Sequence, residues 1–187
     1  MNLIVGLGNP GAEYASTRHN VGFMLTEAIR TAHGLPSWSK KSNGVVSKGR
    51  IGGEDIILLQ PQTYMNLSGP CVQAVAAFFK VAPAQMLVVH DELDLPLAAL
   101  RTKVGGSDAG HNGLKSITQA LGTPEYPRLR IGIGRPVHKT QVSDYVLEPF
   151  SAAETPPIAD VLTALAAAMP QLALHPKETL AKLAKPT

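Results

Sequence analysis

The stretch Met1-Asn-Leu-Ile-Val-Gly-Leu-Gly-Asn-Pro-Gly-Ala-Glu-Tyr-Ala-Ser-Thr-Arg-His-Asn20 decides how the chain is read. Leu3 to Val5 is a short apolar run that empties at once into Gly6, Gly8, Pro10 and Gly11, so a buried strand is followed by a turn-rich loop. Beyond it Val21, Met24, Leu25, Ala28 and Ala32 recur at helical spacing, with Thr17 a candidate N-cap and Gly34 a candidate stop. A strand, a polar loop and an amphipathic helix in that order open an α/β unit. The loop carries Asn9, Tyr14, Arg18, His19 and Asn20, a dense set of donors and acceptors with one possible base.

The letters Gly6-Leu-Gly8-Asn-Pro-Gly11 fit G-x-G-x-x-G, so a dinucleotide-binding oxidoreductase is the first reading to weigh. A dinucleotide site needs its helix to open inside the glycine pattern, with the N-terminus on the pyrophosphate. Here Pro10 disfavours helix at Asn9, and the helical period begins only at Val21. The letters therefore carry little weight.

Outward from this stretch the same alternation continues. Residues 35–43, around Pro36 and Ser42, have no clear period and read as a loop. Val45 to Ile51 and Ile56 to Gln60 read as two strands joined through Gly52-Gly53-Glu54-Asp55, a hairpin connection, with Pro61 ending the second. The loop Thr63-Tyr-Met-Asn-Leu-Ser-Gly69 precedes a helix marked by Val72, Val75, Ala76 and Phe79, with Ser68 as its candidate cap. Met86 to His90 is an apolar strand that ends in Asp91-Glu-Leu-Asp-Leu-Pro96, and Leu97 to Val104 reads as a further strand. The glycine-rich loop 105–113 then precedes a helix with the stripe Leu114, Ile117, Thr118 and Leu121, stopped by Gly122. Tyr126 to Arg135 contains Leu129-Arg-Ile-Gly-Ile-Gly134, whose alternation reads as a strand with Arg128 and Arg130 on the face opposite Leu129, Ile131 and Ile133. Ile158 to Met169 is a helix, and Lys177 to Lys185 a short basic one. The expected fold is α/β, a single domain over residues 1–187, with a twisted mixed β-sheet flanked by helices.

Composition narrows the class. The 187 residues are 44% hydrophobic and 17% charged, with no apolar stretch long enough for a membrane span. The N-terminus lacks a basic segment followed by an apolar one, and the single Cys71 excludes an internal disulfide, so a soluble cytoplasmic protein is expected. Net charge is only +3, but Arg101, Lys103, Lys115, Arg128, Arg130, Arg135 and Lys139 face only Asp108 and Glu125 in the same segment. That excess points to a polyanionic partner.

His19 is the strongest candidate base, because an imidazole is both neutral and basic near pH 7. Asp91, at the end of a buried strand, can accept a hydrogen bond from one ring nitrogen and leave the other basic. No nucleophile stands out: Cys71 falls beside a helical stripe, and no Ser lies in a G-x-S-x-G elbow. His90, His111 and His138 lack metal-ligand spacing, and His111 within Gly-His-Asn-Gly is a residue that orients its loop. Water activated by His19 is then the simplest hydrolytic chemistry. Asn9, Asn66 and Asn112 sit on three different loops, and convergent carboxamides suit a substrate rich in peptide and ribose groups.

Six stretches, Val5 to Tyr14, Thr17 to Asn20, Thr63 to Gly69, His90 to Pro96, Gly110 to Lys115 and Arg128 to Gly134, run in an order and spacing that resembles the bacterial peptidyl-tRNA hydrolase family. The match spans residues 3–150; the tail from 151 is not diagnostic, and Asp108 places an acid in a loop that is often neutral in relatives. The resemblance implies a cytoplasmic, monomeric enzyme, with no metal, cofactor or obligate protein partner, that hydrolyses the ester between a peptide and the 3′ end of tRNA. It implies His19 as general base, Asp91 as its orienting acid, and Asn9 as the residue that separates blocked from free aminoacyl groups. Tyr14, Tyr64, Asn66 and Asn112 match substrate-contacting positions, and Met65 lines the same groove. Lys103 and Arg130 match a clamp for the terminal phosphate of tRNA, with Lys139 a further candidate. A non-catalytic RNA-binding module is the alternative from another class: it would bind RNA and leave the ester intact.

Overall fold

A computed structural model describes residues 1–138 and 141–183. Seven strands form one sheet: β1 (Asn2–Gly6), β2 (Ser39–Lys41), β3 (Gly44–Ile51), β4 (Glu54–Pro61), β5 (Met86–Glu92), β6 (Leu100–Val104) and β7 (Pro127–Gly132). Their order is β2-β3-β4-β1-β5-β7-β6. The four central strands β4, β1, β5 and β7 run parallel, while β2, β3 and β6 are antiparallel to their neighbours. The mixed sheet expected from the sequence is therefore present, with its parallel part in the middle.

Both faces of the sheet are covered, which is why its central strands read as unbroken apolar runs. Ile4, Leu58, Leu87, Val89, Leu129 and Ile131 point into one core, against α1 (Val21–Ala32) and α5 (Thr155–Ala167). Leu3, Val5, Ile57, Leu59 and Val88 point into the other, against α2 (Ser68–Phe79) and α3 (Asn112–Leu121). The remaining α-helices among the described residues are the short α4 (Val142–Val146), α6 (Gln171–Leu174) and α7 (Pro176–Leu183). No helix among the described residues is long and apolar enough to cross a membrane.

The opening glycines serve packing. A Cβ on Gly22 would stand 2.5 Å from the Leu7 nitrogen and from the Val89 carbonyl oxygen, and one on Gly8 would stand 2.7 Å from the Phe23 ring. These glycines let α1 lie directly on the loop after β1, so the start of α1 is held over the ends of β1 and β5. The helix opens ten residues beyond the glycine pattern's end at Gly11, and this is not the geometry of a dinucleotide fingerprint.

Several local expectations are corrected. Residues 35–43 contain β2, which pairs with β3 across Ser42 and Asn43, both at positive φ (51° and 64°). The strand has no apolar alternation because it is an edge held by backbone pairing, and its turn is built on Ser-Asn, a weaker signal than Asn-Gly. The other hairpin turns on Gly52 and Gly53 alone, and Glu54 already pairs with Ile51. The strand expected over Leu97 to Val104 is confined to Leu100–Val104. Neither expected hydroxyl cap forms: Thr17 Oγ1 donates to the Tyr14 carbonyl and Ser68 Oγ to that of Met65. Each hydroxyl is committed to a preceding 3₁₀ turn, Ala12–Tyr14 or Met65–Leu67, which periodicity does not reveal.

Candidate active site

At the C-terminal ends of β1 and β5 the loops after β1, β4 and β5 and the start of α3 surround a cavity of about 500 Å³. This is the edge of a parallel sheet where ligands bind. Of the residues expected at a site, Asn9, His19, Tyr64, Met65, Asn66, Asp91 and Asn112 all line it.

His19 lies in the 3₁₀ turn Arg18–Asn20 that leads into α1, and Asp91 near the end of β5, a fully buried strand. His19 Nδ1 is 2.9 and 3.0 Å from the two Asp91 carboxylate oxygens. No hydrogen bond to Nε2 is found among the described residues. With Nδ1–H donating to Asp91, the basic lone pair falls on Nε2, at the cavity. Burial alone would lower the His19 pKa, but the charge and hydrogen bond of Asp91 outweigh it and hold the group above its ordinary value of 6.5. Burial would raise Asp91, but the charges and hydrogen bonds of His19 and His111 keep its carboxyl far below the usual carboxylate range.

His111 is the residue whose part in the site the sequence reading missed. It caps α3: Nδ1 accepts hydrogen bonds from the Gly113 and Leu114 amides at 3.1 and 3.4 Å. Its proton therefore sits on Nε2, which donates to Asp91 Oδ1 at 2.8 Å. Asp91 is thus held between two imidazoles. The only sign of this in the sequence is the position of His111 immediately before a helix.

The ligand atoms of His19, Asp91 and His111 lie within 4.8 Å of one another, a spacing that a metal ion can use. The His111 tautomer argues against it. Its Nε2 carries a hydrogen, and moving that hydrogen to Nδ1 would turn it against two amide donors of α3. Cys71 is buried and its thiol is pushed up to about 11 by that burial, so it is inert packing. His90 is buried behind His111, and burial lowers it to about 3, which keeps it uncharged.

Asn9 is fixed more tightly than a turn residue. Its backbone is clamped at both polar groups by the Asn20 carboxamide, each bond 2.9 Å, and its Oδ1 accepts the Met65 amide at 2.8 Å. With the oxygen committed, the Nδ2 donor is left for a ligand. Asn66 and Asn112 are exposed at the rim, and no hydrogen bond to either carboxamide is found among the described residues.

Arg18, beside His19, fastens the outer wall. Its guanidinium bonds the Tyr145 carbonyl at 2.8 Å, Glu148 at 3.1 Å and Glu154 at 2.8 Å, and lies over the Tyr145 ring. Thr17 bridges Pro149. This holds α4 so that Val142, Ser143, Val146 and Leu147 face the cavity. No local pattern marks these four as site residues, because the ties that place them come from more than 100 residues earlier in the chain.

Other expected residues lie elsewhere. Tyr14 is half-buried and does not line the cavity. Lys139 lies outside the described residues. Arg128, counted with the basic surface, is buried, and its guanidinium bonds the carbonyls of Gly106, Ser107 and Pro124, so it anchors the glycine-rich loop. Arg135 pairs with Asp94. Lys103 and Arg130 are half-buried on β6 and β7 and share a face of the sheet, since Lys103 pairs with Arg128 two residues away. The cavity is lined by Glu92, Asp94 and Asp108 together with Arg135, which is paired with Asp94, and this acidic excess disfavours a phosphate inside it.

The match to known proteins covers nearly the whole chain. The family model described as Peptidyl-tRNA hydrolase matches residues 3–186. The peptidyl-tRNA hydrolase of Cereibacter sphaeroides (strain ATCC 17025) is 51% identical over 166 residues, 89% of this chain and 73% of that protein. The one from Brevibacillus brevis is 45% identical over 183 residues, 98% and 95% of the two chains. The crystal structure of peptidyl-tRNA hydrolase from Acinetobacter baumannii superposes with a TM-score of 0.87 at 40% identity, covering 93% of this chain and 89% of that one.

Proposed function

The chain belongs to the peptidyl-tRNA hydrolase family and hydrolyses peptidyl-tRNA; from that premise we propose that His19 is the general base of the reaction and Asp91 the acid that orients it. The observation that carries this reading is the His19 Nδ1 to Asp91 contact with Nε2 free at the cavity. His19 Nε2 takes a proton from water as the water oxygen bonds to the ester carbonyl carbon. The tetrahedral intermediate then expels the ribose oxygen, which receives the proton back from Nε2. Asp91 stabilises the imidazolium between these two transfers. His111, through its Nε2–H, keeps the carboxylate turned toward His19.

Asn9 gives the preference for blocked substrates a physical basis. Its free group is a donor, which suits the amide carbonyl of a peptidyl group; an unblocked aminoacyl group offers an ammonium there, which can only donate. Asn66 and Asn112 serve the remaining peptide and ribose groups, and Tyr64 and Met65 form the apolar side of the cleft. Incubating the protein with N-acetyl-aminoacyl-tRNA and with unblocked aminoacyl-tRNA should release free tRNA quickly from the first and slowly from the second. Binding of both without release would favour the non-catalytic module. In this reading, which follows the family resemblance, the enzyme works as a monomer in the cytoplasm.

Lys103 and Arg130 bind the terminal phosphate of tRNA, away from the ester. Removing both should raise KM and leave kcat at saturation nearly unchanged, because a distant charge contact contributes equally in ground and transition states. The dependence of log K on log salt should flatten by about 0.7 to 0.9 per phosphate lost. The double variant should also discriminate far less than wild type between 5′-phosphorylated and dephosphorylated tRNA. Retained discrimination would place the clamp elsewhere, and Lys139 would be tested next.

A further inference from the structure

A second depression adjoins the reaction cavity across the turn formed by residues 63–67. Tyr64, Met65 and Asn66 face the reaction cavity, whereas Thr63 and Leu67 line a groove floored by Pro70, Cys71 and Ala74 of α2 and rimmed by Ser42 and Asn43 at the β2–β3 turn. Leu67, a large apolar side chain, is 55% exposed. Past Asn43 the groove continues into a hollow between Lys40 and Gln62.

We propose that this groove seats the peptide of the substrate beyond its first residue, as an extended strand that leaves the ester past Tyr64 and lays an apolar side chain on Leu67, Pro70 and Ala74. The inference rests on the placement of the ester at His19 and of the tRNA phosphate at Lys103 and Arg130. Continuity is the first argument: one turn walls both cavities, so a chain leaving the first has the second beside it. Topology is the second. His19, Asn9 and Asp91 sit over β1 and β5, in the middle of the sheet, whereas Lys103 and Arg130 lie on β6 and β7 at one flank. The turn at 63–67 follows β4, on the other flank. With the RNA held over β6 and β7, the peptide is left the side of β4, β3 and β2. Chemistry is the third. The floor is apolar and suits an aliphatic side chain; of the two cations in the adjoining hollow, Lys40 is exposed and Lys41 is drawn over the Phe78 ring, 3.0 Å from its centroid. That engagement makes Lys41 a poorer partner for phosphate.

The test compares tRNA carrying N-acetyl-leucine with tRNA carrying an N-acetylated trileucyl peptide, using wild type, Leu67→Asp and Ala74→Glu. Both substitutions are compatible with folding: Leu67 is the N-cap of α2, where Asp is favoured, and Glu is a good helix former at Ala74. Wild type should show a KM roughly tenfold lower for the longer peptide, the factor that about 1.4 kcal/mol of apolar burial produces. Both variants should handle N-acetyl-leucyl-tRNA like wild type and lose that preference. An unchanged length preference in both variants, or none in wild type, overturns the proposal. So does weakened binding of deacylated tRNA by either variant, which would make the face an RNA surface. If wild type leaves even N-acetyl-leucyl-tRNA intact, the active-site assignment fails and the groove falls with it, a result distinct from a lost length preference.

Discussion

Replacing His19 by alanine lowers kcat for peptidyl-tRNA hydrolysis on the order of 10²-fold or more, about 2.7 kcal/mol of transition-state stabilisation, with tRNA affinity nearly unchanged. The base is needed only when water is deprotonated, so its loss appears in kcat and kcat/KM together rather than in KM. The measurement is single-turnover release of tRNA from N-acetyl-aminoacyl-tRNA beside a binding isotherm for deacylated tRNA. Because Asp91 is buried and would keep only His111 as a partner, a thermal melt must show that the variant is folded. Activity within about a factor of two of wild type, in folded protein, would remove His19 from the mechanism.

Asp91→Asn keeps the shape of the side chain and removes its charge. Two effects follow. The imidazolium formed during the reaction loses its counter-charge, so kcat falls, and the amide offers a donor where His19 Nδ1–H needs an acceptor, which favours the wrong tautomer. The sign of the pH effect comes from the His19 shift. Burial lowers its pKa and Asp91 more than compensates, holding it above 6.5 in the wild type, where the base is active only as pH rises through that raised value. Without the carboxylate the burial effect is unopposed, so the ascending limb of the rate profile moves to lower pH while its plateau drops. An unchanged rate and profile would mean that Asp91 does not act on His19.

The His19 and Asp91 candidates were readable because each has a local signature. His19 precedes an amphipathic helix after a glycine-rich loop, and Asp91 ends an apolar run, so both fall on the loop edge of an α/β sheet. Arg128 and Arg130 differ by two positions and read alike, yet Arg128 is buried and Arg130 only partly so. Alternation assigns a residue to a face, but what covers that face is decided by α3 and the loop before it. Tyr14 shows the converse: it lies in a matching motif, yet the 3₁₀ turn that holds it leaves it off the cavity.

The sequence by itself determined the order of the strands and longer helices apart from β2, the mixed sheet, the hairpin at Gly52-Gly53 and the loops that bear the site residues. These follow from hydrophobic period and turn chemistry, which act between residues a few positions apart. Only the tertiary structure decided that His19 meets Asp91 across 72 positions, that His111 supports the same carboxylate from 20 positions away, and that Arg18 pins α4 over the cavity. Such pairings depend on strand order and on how closely helices lie against the sheet. In the case of His19 that distance is set by Gly22, which admits the backbone of Leu7 and the carbonyl of Val89 where a side chain would stand.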